Sequence, residues 1–370
     1  MHILITGANG FLGRNLVAEL RNRGYDELYL YTRESSLEDL ERWALDSDFI
    51  FHLAGVNRPQ KEEEFKKGNA DLTFELLRLL EENTRSVPVV FSSSIQAEED
   101  NPYGRSKKEA EDHIFEYGER NDAPVFVYRF ANLYGKWSKP HYNSVIATFC
   151  HQVAHDLPIE VRDPDKEITF QYIDDVVDSL IHCFEMECPH KDGPFCDVPQ
   201  KDTRTLGEVA QLIQSFREVR RTLEVPNMAD RFTKNLYSTY LSYQPTDDFA
   251  YSLQMHKDER GSFTEFIRTP DRGQVSINIS KPGITKGQHW HHTKTEKFLV
   301  VKGEGVVRFR RIDENRIIEY PVTGEELDVI TIPPGYTHSI VNEGDEEMIT
   351  VMWVNESFDP EQADTYYLEV

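Results

Sequence analysis

Apolar residues recur along this chain in two rhythms, and the rhythm changes near residue 250. In the first part, short β-branched or aromatic runs at residues 2–6 (HILIT), 28–31, 48–53 (DFIFHL) and 87–91 predict strands. Between and after them, helical spacing predicts helices. Leu16, Val17 and Leu20 recur up to Gly24, followed by Leu72, Leu76, Leu79 and Leu80; Leu206, Val209, Leu212, Ile213 and Phe216 come after a start signal at Thr205, and residues 232–241 form a last helix. Strands separated by such helices predict an α/β, Rossmann-like, doubly wound parallel sheet whose ligands gather at the strands' carboxyl ends. Pro245-Thr246-Asp247-Asp248 breaks the pattern. Beyond it, residues 274–280, 296–301, 306–311, 329–332 and 348–354 read as short strands with glycine turns and no competing helical period, which predicts an all-β sandwich or barrel. The expected domains are therefore 1–245 and 246–370.

The 370 residues suffice for two separate cores. With 41 basic against 65 acidic residues and a formal charge of −24, neither nucleic acid nor an anionic membrane surface is expected as the main partner. A local basic pocket can still oppose that global sign. No apolar run approaches membrane-spanning length, so no membrane insertion and a cytoplasmic location are expected. Cys150, Cys183, Cys188 and Cys196 include no Cys-x-x-Cys pair and read as reduced structural thiols, with a Cys183/Cys188/Cys196 metal cluster as the alternative.

The first strand runs into Gly7-Ala8-Asn9-Gly10-Phe11-Leu12-Gly13 and then a helix. By itself such a run is also a plain tight turn. Between a strand and a helix it offers backbone N–H groups and the positive end of the helix to a diphosphate. At the end of the second strand, Thr32 and Arg33 stand where an NAD-preferring fold usually carries an acid; a guanidinium suits a 2′-phosphate, so NADPH is the expected cofactor. Leu53, Ala54 and Gly55 end the third strand, and Ser92, Ser93 and Ser94 the fourth. Tyr103 and Lys107 share one helical face. The spacing is common on solvated helices. Downstream of a nucleotide turn it suggests a phenol, ordinarily near pKa 10, eased toward ionisation by an ammonium.

In this order TGANGFLG, HLAG, SSS, YGRSK, RFANLYG (129–135) and YIDDV (172–176) resemble the extended short-chain dehydrogenase/reductase family over roughly residues 1–240. The resemblance implies that Tyr103 donates a proton to a substrate carbonyl, Lys107 binds the nicotinamide ribose, and Ser94 hydrogen-bonds the carbonyl. Only eight residues separate Ser94 from Tyr103, shorter than the family's usual interval, which leaves Ser92 and Ser93 as alternatives.

In the second half, His289 and His291 alternate along an extended chain, and Glu296 and His338 complete a three-nitrogen, one-oxygen set suited to Zn2+ or another divalent metal. A single histidine would be read as a core residue. Gly283, His289, His291, Glu296 and Gly303, then Pro333, Gly335, His338 and Asn342, resemble the two cupin motifs, which implies a cupin barrel. Gly324 lies farther upstream of Pro333 than usual, and His292 is an alternative ligand.

The fusion, with Asn101-Pro102-Tyr103-Gly104, Lys136-Trp137 and residues 142–149 and 258–266, resembles a family of bifunctional capsular-polysaccharide enzymes over its whole length. That resemblance implies a UDP-linked 2-acetamido-2,6-dideoxy-4-ketohexose substrate, C3 epimerisation and NADPH-dependent C4 reduction to UDP-2-acetamido-2,6-dideoxy-L-talose, on the route to UDP-N-acetyl-L-fucosamine. A homodimer is the expected assembly. Two other readings stay open: a reductase whose second half only binds sugar or dimerises, and a non-catalytic NADP sensor.

Overall fold

Alternation along each strand builds the first half of the molecule from both faces of one sheet. The computed structural model describes residues 1–357, 361 and 363–370. Its chain divides into one unit of residues 1–214 and 235–245 and another of 215–234 and 246–370. In the first unit, strand Ile3–Thr6 lies between Leu28–Tyr31 and Phe49–His52, and the sheet continues through Val89–Ser94 and Val125–Phe130, all parallel. Ile3, Ile5, Phe49, Phe51, Val90, Phe126 and Tyr128 face a layer containing helices Phe11–Asn22 and Ile173–His182. Leu4, Ile50, Val89, Phe91 and Val127 face the opposite layer of helices Leu37–Asp46, Leu72–Glu82 and Pro102–Asn121. Burial on both faces explains why these strands read as near-continuous apolar runs. It also gives the Rossmann-like, doubly wound sheet expected from the sequence.

Some boundaries move. The fourth strand extends through the serines to Ser94. Strand Val125–Phe130, an apolar run of four residues followed by Arg129 and Phe130, is missing from the predicted set. A small sheet of Asn132–Tyr134, Glu167–Tyr172 and Asp202–Thr205 adds to this unit. At the edge of the large sheet, the hairpin Lys191–Asp192/Phe195–Cys196 turns the chain back on itself. Cys188 and Cys196 thereby come to Cα atoms 5.7 Å apart and are joined as a disulfide, which corrects the expectation of four reduced thiols and of a metal cluster built on these two. Cys150 and Cys183 are free and buried.

The second unit is antiparallel β, in a six-stranded and a five-stranded sheet. Strands Val329–Ile332 and Met348–Val354 stand where the pattern predicts them. Gly261–Thr269, Thr285–Trp290, Ile317–Thr323 and Tyr336–Asn342 do not announce themselves in the sequence. Thr285–Trp290 (TKGQHW) has almost no apolar alternation. The reason is that the interior is polar at one end: Ser262, Thr264, Gln274, Ser276, Asn278, Ser280 and Thr350 are all buried. Phe298, Val300, Val307, Phe309, Val322, Ile332, Ile340 and Met348 form the apolar core drawn from both sheets. No helix among the described residues is long and apolar enough to cross a membrane.

The first helix packs tightly on the turn before it. A methyl group on Gly13 would lie 2.3 Å from the Gly7 carbonyl oxygen. Gly13→Ala is therefore expected to lower stability by about 1–3 kcal/mol through overpacking, although Ala is the better helix former. Urea unfolding checks this, and an unchanged midpoint refutes the close fit.

Candidate functional site

Strand order reverses direction between Ile3–Thr6 and Phe49–His52, so a crevice opens at their carboxyl ends, where doubly wound sheets bind ligands. Gly7 adopts a left-handed φ of +70°. A Cβ there would stand 2.8 Å from Ala54 Cα, so the glycine turn and the exit of the third strand meet backbone to backbone. The N–H groups of Gly7 and Ala8 donate to the Tyr31 carbonyl at 2.9 and 3.3 Å, and that of Gly10 to Gly7 at 2.8 Å. Gly10 then starts helix Phe11–Asn22 without a side-chain cap. Its first turn, which includes Phe11, Leu12 and Gly13, is thus available for an anion. Leu53 packs against the core beneath. Arg33 is exposed on the turn after Leu28–Tyr31, and Glu34 is exposed on the same turn.

Helix Pro102–Asn121 brings Tyr103 and Lys107 to this edge, beside the end of the fourth strand. Lys107 is only 4 % exposed. Its ammonium donates to the Ser92 carbonyl at 2.8 Å and lies 4.9 Å over the Phe91 ring. A methyl on Gly55 would stand 3.2 Å from Lys107 Nζ, so third strand, fourth strand and helix converge on one amine. Burial pulls the amine down to about 8, against the opposing charge of Glu111. Burial likewise pushes the Tyr103 phenol above its ordinary value, and a side-chain hydrogen bond with Ser94 offsets part of this. This corrects the expectation of an eased phenol: desolvation is the larger effect, and the partner that offsets it is Ser94 rather than Lys107.

Two buried networks hold these groups, and only parts of them are legible in the motifs. Ser93 donates to Glu111 Oε1 at 2.6 Å, and Arg129 grips the same carboxylate from Nε and Nη2 at 2.8 and 2.7 Å. Ser93 is therefore committed to the framework, whereas Ser94 is bonded to Tyr103. In the second network, Thr73 gives its hydroxyl hydrogen to the Asn69 carbonyl at 2.8 Å and so accepts from His52 Nε2 at 2.8 Å. His52 Nδ1 is then the acceptor for Thr6 Oγ1 at 2.7 Å. Burial lowers His52 to about 3, so the ring stays neutral. Asn69 Nδ2 donates to Ser106 Oγ at 2.9 Å, and Ser106 to the Tyr103 carbonyl at 2.8 Å. A buried acid four residues past Lys107 and an arginine inside an apolar strand are the sequence signals for the first network. His52, at the end of a buried strand, is the signal for the second.

In the second unit His289, His291, Glu296 and His338 converge, with donor atoms all within 4.8 Å of one another. His289 pairs across the strands with His338 after a bulge at which Gln288 takes φ +64°. His291 follows the strand's last residue, Trp290. Glu296 Oε2 approaches His338 Nε2 at 3.0 Å and His291 Nε2 at 3.6 Å. Yet Glu296 Oε2, His291 Nε2 and His338 Nε2 are buried without a hydrogen-bond partner. Buried polar atoms are otherwise nearly always satisfied, so this donor set fits a divalent cation. Burial raises the Glu296 carboxyl, and the facing imidazoles of His291 and His338 outweigh it and hold the group well below its usual range. Burial lowers His289 to about 4, with the other two imidazoles adding to the effect. His292 is exposed, turned to Trp290 and Tyr366. A cavity of about 240 Å³ adjoins the cluster, lined by Glu296 and by Phe263, Gln274, Ser276, Lys294 and Met352 among others.

Comparison with known proteins agrees with this division. Residues 3–192 match the NAD dependent epimerase/dehydratase family, and residues 256–366 match a polysaccharide biosynthesis C-terminal domain. The crystal structure of the capsular polysaccharide assembling protein CapF from Staphylococcus aureus superposes with a TM-score of 0.94 at 52% identity, covering 100% of both chains. The chain belongs to the CapF family. A second CapF structure, with the inhibitor 3-isopropenyl-tropolone, gives 0.89 at 47% identity over 100% of each chain. A Pseudomonas aeruginosa relative, 45% identical over 100% of this chain and 99% of its own, is named UDP-2-acetamido-2,6-beta-L-arabino-hexul-4-ose reductase.

The fully buried Lys107 opposes folding while charged. Lys107→Met is expected to stabilise the protein by about 1–3 kcal/mol at pH 7. The folded amine titrates near 8 and the unfolded one near 10.5. The wild-type penalty is thus complete below pH 8 and fades as the pH rises toward 10.5, so the variant's advantage shrinks over that window. Denaturant unfolding at pH 7 and pH 10 tests this, and a Lys107→Met protein less stable than wild type at pH 7 contradicts it.

Proposed function

We propose that the protein is a bifunctional nucleotide-sugar enzyme. It would epimerise C3 of a UDP-2-acetamido-2,6-dideoxy-4-ketohexose in its second half, read as a cupin barrel of residues 246–370. It would then reduce the C4 ketone with NADPH in residues 1–245. The observation that carries this reading is the presence on one chain of two separate centres. One is the Ser94–Tyr103 pair with Lys107 beside a glycine turn; the other is a buried His/Glu cluster whose lone pairs lack partners. The name of the Pseudomonas relative supports the substrate class, and the CapF family supports a role in capsule synthesis.

Bound NADPH would supply the hydride, and a divalent metal held by His289, His291, Glu296 and His338 would polarise a carbonyl or fix the sugar. Gly7, Gly10, Phe11, Leu12 and Gly13 would seat the cofactor's diphosphate, Arg33 would meet the 2′-phosphate, and Leu53, Ala54 and Gly55 would line the crevice. Ser94 donates a hydrogen bond to the C4 oxygen. Tyr103 hands its phenolic proton to that oxygen as the carbonyl is reduced, and Lys107 binds the nicotinamide ribose. The order of the two steps follows from the sugar. The C3 hydrogen is acidic only while C4 is a ketone, because the carbanion needs that carbonyl as an enolate sink. Epimerisation therefore precedes reduction.

NMR of the 4-keto sugar nucleotide in D2O, with and without NADPH, tests the reading. Deuterium is expected at C3 without NADPH, and reduced product only with it. His289→Ala with His338→Ala should stop exchange and leave reduction measurable; Tyr103→Phe should cut reduction by about 10² to 10⁴ and spare exchange. No exchange in the folded, zinc-loaded wild type would leave a reductase alone. A separate comparison of kcat/KM should favour NADPH over NADH in wild type, with the preference shrinking in Arg33→Ala. Equal wild-type values would remove Arg33 from cofactor selection.

A further inference from the structure

The chain's last residues are laced onto the strand that carries His289 and leads into His291. Tyr366–Tyr367 pairs antiparallel with Thr285–Trp290, Tyr367 opposite His289 and Tyr366 opposite Trp290. The Leu368 N–H donates to the Gln288 carbonyl at 3.0 Å, and that of Val370 to Gln288 Oε1 at 2.8 Å. Just before this strand stands Asp364. Its carboxylate accepts from three successive backbone N–H groups, those of His292 at 2.9 Å, Thr293 at 2.7 Å and Lys294 at 3.0 Å, and from Thr293 Oγ1 at 3.1 Å. Its main-chain carbonyl receives His291 Nδ1 at 2.5 Å.

A carbonyl oxygen only accepts, so His291 Nδ1 carries the hydrogen. The lone pair of the neutral ring is then on Nε2, the atom that lies 3.6 Å from Glu296 Oε2. The carboxylate meanwhile fixes the turn between His291 and Glu296. One residue thus governs both the orientation of a donor ring and the path of chain joining two donors. Asp364 lies 73 residues from His291 and outside every histidine motif.

We infer that Asp364 is a positioning residue for the metal centre: its carbonyl selects the His291 tautomer that offers Nε2, and its carboxylate holds the 292–294 turn that spaces His291 from Glu296. This rests on the reading of the cluster as a metal site. Partners of this kind typically change metal affinity about 10- to 100-fold when removed. The mechanism is preorganisation: the carboxylate fixes the 292–294 turn and anchors the segment whose main-chain carbonyl meets His291, so without it binding must also order both.

The test uses the full chain. Zinc affinity is measured by competition with a chelating indicator for wild type, Asp364→Asn and Asp364→Ala, with circular dichroism and melting curves of the metal-free proteins. Cobalt(II) absorption reports the ligand geometry. Asp364→Ala is expected to bind zinc about 10- to 100-fold more weakly with a changed cobalt spectrum. Asp364→Asn, which keeps one acceptor oxygen, should fall between it and wild type. Wild-type zinc affinity and cobalt spectrum in a folded Asp364→Ala overturn the inference. If that variant fails to fold, Asp364→Asn decides by the same comparison. Wild type that takes up no stoichiometric zinc or cobalt instead overturns the metal reading beneath it.

Discussion

A buried carboxylate holds the first unit in register. Glu111 has no exposure and is one helical turn beyond Lys107. Arg129 binds both its oxygens, and Ser93 binds one. An ionised group in that position is tolerated only when paired and hydrogen-bonded. Satisfying it fastens the helix Pro102–Asn121 to the strands Val89–Ser94 and Val125–Phe130 at the one edge where Ser94, Tyr103 and Lys107 meet. If that clamp shifted, the Lys107–Ser92 and Ser94–Tyr103 bonds would shift with it.

The same rule, that buried polar groups need partners, works in reverse in the second unit. There the strands turn a row of serines, threonines and amides inward beside the histidines, and the donor atoms of His291, Glu296 and His338 are left without partners. Such a constellation is unfavourable as packing and fitting as a cation site. The two units thus spend their buried polarity differently. In the first, hydrogen bonds close every step from Thr6 through His52, Thr73 and Asn69 to Ser106 and so rigidify the crevice. In the second, the lone pairs of the His/Glu cluster stay unclosed.

Desolvation also decides the electrostatics where simple proximity suggests the opposite. Tyr103 and Lys107 sit on one helical face, and in water the cation would ease the phenol's ionisation. Inside the protein both groups move toward their neutral forms, the phenol upward and the amine down to about 8. A helical spacing names neighbours; the dielectric around them determines what they do to each other.

The division between what sequence dictates and what folding decides follows range. Strand–turn–helix at residues 3–22, the alternation of strands with helices, and the change to short strands beyond 250 are set by residues close in the chain, and all are legible there. So is the His/Glu cluster, because His289, His291 and Glu296 stand at short intervals and His338 falls in a second motif of the same kind. Strand Thr285–Trp290 was not legible, since it lacks apolar alternation and its His289 meets a partner, His338, that lies far off in sequence. The same holds for Glu111 with Arg129, for His52 with Thr73, and for Asp364 with His291. The Cys188–Cys196 bond depends on a hairpin that the pattern did not predict. The sequence by itself determined which elements form and which side chains carry chemistry, because those depend on local period and residue type. Only the tertiary structure decided which buried polar groups are paired and which serine faces Tyr103, because hydrogen bonding and desolvation depend on neighbours that the fold alone brings together.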